Sequence, residues 1–167
     1  MIPNARRLSE EQALNKLAHL CSASEHCQGE MAEKCAKWGF DPDATRRVVA
    51  RLVKEGFVDD SRFAPLFVRD KARLAGWGPV KVRMQLSAKG VDADVIEQAV
   101  ESFPPDEWHA ILLKALSSKL RTAPAPPGSD GGDALAYGSK LYASLVRFAL
   151  QRGFDYDEVR RAIGELG

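Results

Sequence analysis

An all-α fold of three tandem three-helix units is predicted by three observations. These are a gapless internal repeat, apolar residues at helical spacing ahead of each copy, and the absence of any alternating strand pattern. The repeat reads WGFDPDATRRVV from Trp38, KGVDADVIEQAV from Lys89 and RGFDYDEVRRAI from Arg152. Each copy gives Gly, an apolar residue, Asp, any residue and a second Asp, with apolar positions at fixed later offsets. Gly39, Gly90 and Gly153 suit the left-handed residue that closes a helix, which a side chain disfavours. Asp41, Asp92 and Asp155 are then expected as N-caps of the next helix, with Pro42 at a first helical position. Asp43, Asp94 and Asp157 meet the positive end of the helix dipole. Phe40, Val91 and Phe154, between stop and start, can staple onto Thr45, Ile96 and Val159.

One further helix precedes each pair. In the first copy it runs from about Ser9 to Leu20, with Ala13, Leu14, Leu17 and Leu20 at helical spacing. In the second it spans about Ser61 to Leu74, with Phe63, Phe67 and Leu74 on one face and Arg62, Arg69 and Arg73 on another. In the third it covers about Asp106 to Leu120, with Trp108, Ile111, Leu112, Ala115 and Leu116. Gly39 and Gly90 are 51 residues apart and Gly90 and Gly153 are 63 apart. The stretch TAPAPPGSDGGD, 122–133, accounts for the difference as a flexible inserted loop rich in Pro, Gly and Ser. The expected organisation is a tail over 1–8, then repeats over 9–58, 59–103 and 104–167, the last carrying the insertion.

Composition excludes several classes. With 45% hydrophobic and 28% charged residues the 167-residue chain is globular in character. Its apolar runs, broken by Lys114 and Arg147, fall far short of the roughly 20 residues of a membrane span. Glu10 and Glu11 stand where a signal peptide needs its apolar region, so a cytoplasmic protein is expected. Three cysteines, Cys21, Cys27 and Cys35, sit in one short stretch, which argues for reduced thiols. A metal site from Cys21, His26, Cys27 and Cys35 would lack any close ligand pair, so buried thiols and no metal are expected. Net charge is only +1, yet 62–89 holds seven basic residues (Arg62, Arg69, Lys71, Arg73, Lys81, Arg83 and Lys89) against Asp70 alone. Asp92, Asp94, Glu97 and Glu101 follow with no base, unlike a dedicated nucleic-acid protein.

No catalytic constellation emerges. The histidines are His19, His26 and His109. His26 has Glu25 and Cys27 as neighbours, but adjacent residues on a helix diverge, so no Cys-His pair is implied. There is no phosphate-binding P-loop, and neither enzyme activity nor a cofactor is expected. A DNA-binding helix-turn-helix regulator is the alternative, with Arg46, Arg47 and Arg51 on a third helix. That run also reads as a solvated face, because the same helix needs Val48, Val49 and Leu52 inward. Trp38 and Trp108 read as core residues. Trp77, flanked by Gly76 and Gly78 in a turn, is the exception.

The segment GFVDDSRFAPLFVRDKARLAGWGPVKVRMQLSAKGV, 56–91, resembles the central pattern of the RecX family. Gly56, Asp59, Asp60, Arg62, Phe63 and Ala64 match its opening, and Gly78, Lys81, Val82, Arg83, Leu86, Lys89 and Gly90 match its continuation. CSASEHCQGEMAEKCAKWG from Cys21 is similar to a subgroup of that family, and Arg152, Gly153 and Phe154 match its closing Arg-Gly-Phe. The likeness covers nearly the whole chain except the tail and the insertion. Two departures stand out: Pro65, which predicts a late start or a bend in its helix, and Gly29, which weakens the start of another. The resemblance implies an elongated, curved body of three units. It also implies a role in DNA repair, recombination and the SOS response, with binding in the groove of the RecA recombinase filament on single-stranded DNA. There it would restrain filament growth, strand exchange, ATP hydrolysis and coprotease activity. The expected contacts to RecA or single-stranded DNA are Arg62, Arg69, Lys71, Arg73, Lys81, Arg83 and Lys89, presented by a monomer.

Overall fold

A computed structural model describes residues 7–123 and 135–167. Nine α-helices and no strand are found among the described residues, in three successive groups of three. The first group is α1 (Glu10–Ala23), α2 (Gln28–Lys37) and α3 (Pro42–Lys54); the second is α4 (Asp60–Ala75), α5 (Pro79–Ala88) and α6 (Ala93–Ser102); the third is α7 (Pro105–Thr122), α8 (Lys140–Arg152) and α9 (Tyr156–Leu166). Two compact units result. One comprises Met1–Leu66 and Leu86–Glu97, the other Phe67–Gln85 and Gln98–Gly167, so α4, α5 and α6 each contribute to both.

The predicted helix stop is present three times in one form. At Gly39 (φ +88°) the Gly39 amide donates to the Ala36 carbonyl at 3.0 Å and the Phe40 amide to Cys35 at 3.1 Å. Gly90 and Gly153 repeat both bonds: Gly90 to Ser87 and Val91 to Leu86, then Gly153 to Leu150 and Phe154 to Ala149. These pairs satisfy carbonyls that a helix end otherwise leaves without partners. A fourth copy, unanticipated from the repeat, closes α3 at Gly56, with Phe57 donating to Leu52 at 2.9 Å. The caps follow. Asp41 Oδ1 accepts from the Ala44 amide at 2.7 Å and Asp155 Oδ1 from Glu158 at 2.9 Å. Asp92 holds the equivalent place ahead of α6, its carbonyl accepting from Ile96.

The first unit packs α1 and α2 against α3. Its core gathers Leu14, Leu17, Met31, Cys35, Val48, Val49, Leu52 and Val58, one apolar stripe per helix. Ser9 and Gln12 form a reciprocal capping box at the start of α1. Gly29 is the second residue of α2, and a Cβ there would collide with the Lys89 carbonyl, so this close approach requires glycine. In the second unit α7, α8 and α9 pack on one another around Trp108, Leu112, Leu145, Phe154 and Ile163.

Some expectations are corrected. α4 begins at Asp60, not late, and runs on through Pro65; Asp59 Oδ1 caps it by accepting from the Ser61 and Arg62 amides. Pro65 removes only the second-turn bond to Ser61. Leu74 is 84% exposed, since α4 buries Phe63, Ala64, Val68 and Ala72 and at about 100° per residue Leu74 falls at the edge of that arc. Glu25 and His26 lie in the segment between α1 and α2, not on a helix. Of the inserted stretch, Thr122 is the last residue of α7, and 124–133 lie outside the described residues.

Within the second unit the α8–α9 turn grips the α4–α5 connection. The Gly78 amide donates to the Arg152 carbonyl at 2.6 Å and the Val80 amide to Gly153 at 2.9 Å, while Arg152 Nη1 donates to the Ala75 carbonyl at 3.1 Å. The Gly153 Cα lies so close to Lys81 that a Cβ would collide with it, whereas Gly90 faces open space. Gly90→Ala should therefore cost only the left-handed backbone penalty, about 1–2 kcal/mol. Gly153→Ala should cost at least ~1 kcal/mol more, because steric overlap is added. Urea denaturation of both variants checks this, and equal losses would contradict the close approach at Gly153.

Candidate functional site

The seven cations of 62–89 divide by their partners. Arg62, in the first turn of α4, donates from Nε to Glu25 Oε1 at 2.7 Å and from Nη2 to the Gly56 and Phe57 carbonyls. It clasps the α1–α2 and α3–α4 connections. Lys89 sits 3.5 Å from Glu30 Oε2 beside Gly29. Both belong to the first unit, and both face inward obligations.

The other five lie in the second unit. Arg73 makes a two-pronged pair with Glu107, Nε to Oε2 at 3.0 Å and Nη2 to Oε1 at 2.9 Å, with its guanidinium 5.5 Å from the Phe103 ring centre. Arg69 pairs with its sequence neighbour Asp70, at 3.5 Å. Arg83 is partly buried on α5. Lys71 and Lys81 converge on Trp77, their Nζ atoms 4.9 Å and 4.5 Å from its ring centre. Phe67 packs edge-on to Trp77 at 6.3 Å and also receives Lys71 at 5.6 Å. Among the described residues neither ammonium has a carboxylate within ion-pair distance.

Local sequence explains this cluster. Lys71 is near the end of α4 and Lys81 near the start of α5, and the Gly76-Trp77-Gly78 connection folds the indole back between them. The Trp77 amide donates to the Lys71 carbonyl at 3.0 Å, Gly76 takes φ +69°, and Gly78 is tied to Arg152. An aromatic face bearing two cations is attractive in itself by about 0.5–1 kcal/mol per contact when exposed. It leaves the positive charge available to an anion.

The arginines of α3 are differently placed. Arg47 bonds Glu10 at 2.6 Å, Arg51 bonds Glu11 at 2.9 Å and Glu55 at 3.0 Å, and Arg46 bonds Asp43. They tie α3 to α1 and to its own ends. Burial pushes the Cys27 thiol up to about 11 and raises Cys21 and Cys35 as well, which keeps all three protonated. No group of three or more His, Cys, Asp or Glu side chains suited to a metal ion occurs among the described residues. Nor, among them, is any helix long and apolar enough to cross a membrane.

Charge spacing could not show Glu25, Glu30 and Glu107 as partners, because Glu25 and Glu107 lie 37 and 34 residues from the arginines they bind. Trp77 between two glycines was the one local signal of the cluster.

Comparison with known proteins agrees along the chain. The sequence profile of RecX, first three-helix domain, matches residues 13–52, and that of RecX, second three-helix domain, matches 59–100. The regulatory protein RecX of Xanthomonas campestris pv. campestris (strain B100) is 32% identical over 94% of this chain and 89% of its own length. That of Xanthomonas oryzae pv. oryzae (strain MAFF 311018) is 36% identical over 94% and 90%. The crystal structure of RecX from Lactobacillus salivarius shares the fold, with a TM-score of 0.72 at 18% identity, covering 94% of this chain and 96% of that one.

Glu30, the partner of Lys89, makes the stability of the first unit pH-dependent. Burial alone would raise its carboxyl, but the Cys27 amide at 3.1 Å and the Lys89 ammonium outweigh that and hold it below its ordinary range. A lowered folded value means stability that is present above the ordinary glutamate range and lost as pH falls through the folded value. Asp60, raised by burial and by Asp92, acts in the opposite sense, so the informative comparison is variant against parent. Melting temperatures between about pH 7 and 3 should fall less steeply for Glu30→Gln than for the parent. Parallel curves would remove Glu30 from the acid limb.

Proposed function

Because the chain belongs to the RecX family of regulatory proteins, we propose that it is a non-catalytic modulator of the RecA recombinase filament on single-stranded DNA. In this reading it acts in the cytoplasm as a monomer and restrains filament growth and ATP hydrolysis. The basic surface of the second unit, centred on Trp77, is its contact. The observation that carries the reading is the convergence of Lys71 and Lys81 on one indole, with no carboxylate within ion-pair distance of them among the described residues and with Arg69 beside its sequence neighbour Asp70.

A filament offers anions of two kinds, phosphates of the strand and acidic side chains of the recombinase, and both accept charge-assisted bonds. Lysines resting on an aromatic ring already have part of their freedom removed, which lowers the entropic cost of meeting either. Arg62, Lys89 and Arg73 fit a supporting role, since each would have to exchange an existing partner. Arg83 shares α5 with Lys81 and extends the same basic segment. The alternative of an operator-reading helix-turn-helix is disfavoured by the ion pairs of Arg46, Arg47 and Arg51, which turn those side chains towards their own unit.

Replacing Arg69, Lys71 and Lys81 together by Ser should raise the concentration needed for half-inhibition of RecA ATP hydrolysis by about tenfold or more, a loss of ~1.4 kcal/mol. Helix content should change little, and melting should fall only by what the lysine–ring contacts contribute, about 0.5–1 kcal/mol each. The parent's inhibition should also weaken as salt rises. Full inhibition by the triple variant at physiological salt would refute this surface as the contact.

A further inference from the structure

A second surface of the same unit has a different character. A groove of about 610 Å³ runs along α7, bounded by the C-terminal turn of α4 and by α8. The α7 side recurs at helical spacing from Glu107 to Thr122, about 22 Å or four turns. It is lined by the small residues Ala110, Ala115 and Ser118 and by the apolar Leu74, Ile111 and Phe148. Leu74 is 84% exposed, an apolar side chain left in water at the mouth.

The rim is cationic. Lys119 Nζ lies 5.6 Å and Arg152 Cζ 5.1 Å from the Phe148 ring centre, and Lys114 stands exposed on the next turn of α7. Arg152 donates to a backbone carbonyl, and among the described residues neither it nor either lysine has a carboxylate within ion-pair distance. Arg73 and Glu107 neutralise each other at one end. The groove therefore carries three positive charges beside an apolar wall.

These features select the occupant. A wholly apolar partner would strip water from the three cations without giving them counter-charges. A polyanion without an apolar side would leave Leu74, Ile111 and Phe148 wet. An amphipathic helix answers both, its leucine-type stripe against the wall and its carboxylates on the rim. Small lining residues, Ala110, Ala115 and Ser118, leave room for its side chains to pack along α7.

We propose that this groove is a docking site for an acidic amphipathic helix of a protein partner, about four turns long. The site stands apart from the recombinase reading, and its test uses no recombinase. The probe is a fluorescein-labelled helix of about 18 residues with leucine at i, i+3, i+4 and i+7 and glutamate on the flanks. Its twin carries lysine in place of glutamate. Anisotropy with the full chain should show the acidic helix bound and the basic twin at least tenfold weaker. Ile111→Glu should reduce binding at least tenfold. So should Lys114→Glu combined with Lys119→Glu, which alters only side chains on the rim and keeps the test valid if the first variant folds poorly. Equal binding of both helices, or parent-like binding by the rim variant, would overturn the proposal. Displacement of the acidic helix by an oligothymidylate would assign the groove to nucleic acid. Sedimentation showing a parent dimer that the rim variant dissolves would assign it to a second copy. Either result would also overturn the proposal.

Discussion

A left-handed glycine turn, closed by two backbone hydrogen bonds, is the constraint on which the rest of this structure depends. At Gly39, Gly90 and Gly153 it stops one helix and aims the next, with an Asp at a fixed distance to begin it. Because the turn satisfies its own carbonyls, each unit closes without help from long connections. The apolar residue between stop and start, Val91 or Phe154, is thereby delivered into the core. At Gly153 the same turn does more. Its neighbouring carbonyls hold the Gly78 and Val80 amides and so position Trp77 and Lys81. Packing of the third group of helices thus reaches the charged surface of the second through three hydrogen bonds and one missing Cβ.

The electrostatics show why a count of basic residues misleads. Seven cations in 28 positions look like one patch, yet Arg62, Arg73 and Lys89 have carboxylate partners within the fold. What distinguishes Lys71 and Lys81 is an aromatic partner in place of an acidic one. A cation on an indole keeps its net charge, whereas a cation beside a carboxylate loses most of its field at a distance. The α7 groove uses the same device at Phe148. In the second unit, Trp77 and Phe148 serve as seats for charges, whereas Arg73 on Phe103 is paired with Glu107.

Much of the fold was legible because its signals are local. Gly, Asp and the apolar offsets of each repeat sit within a dozen residues, and cap geometry needs no more than that. The first helix of each group was found within three residues of its bounds, since amphipathic spacing persists for several turns. What failed required distant contacts. The packing reason for Gly29 is the Lys89 carbonyl against it, 60 residues on, and Leu74 follows the helical period while lying at the edge of a buried arc. Gly56 escaped the repeat because Val58 stands at the cap offset two residues on, and the capping Asp59 comes one residue later. The α7 groove left no sequence mark, because alanines and lysines at helical spacing read as an ordinary solvated face.

The central claim is that the second unit, through 67–85, meets the recombinase filament, and that the arginines of α3 do not. Hydrogen-deuterium exchange of the full chain, with and without RecA assembled on single-stranded DNA, tests it most directly. Added protection should concentrate at the end of α4, the Gly76–Gly78 connection and the start of α5. Protection confined to 42–54, with 67–85 unchanged, would contradict the account.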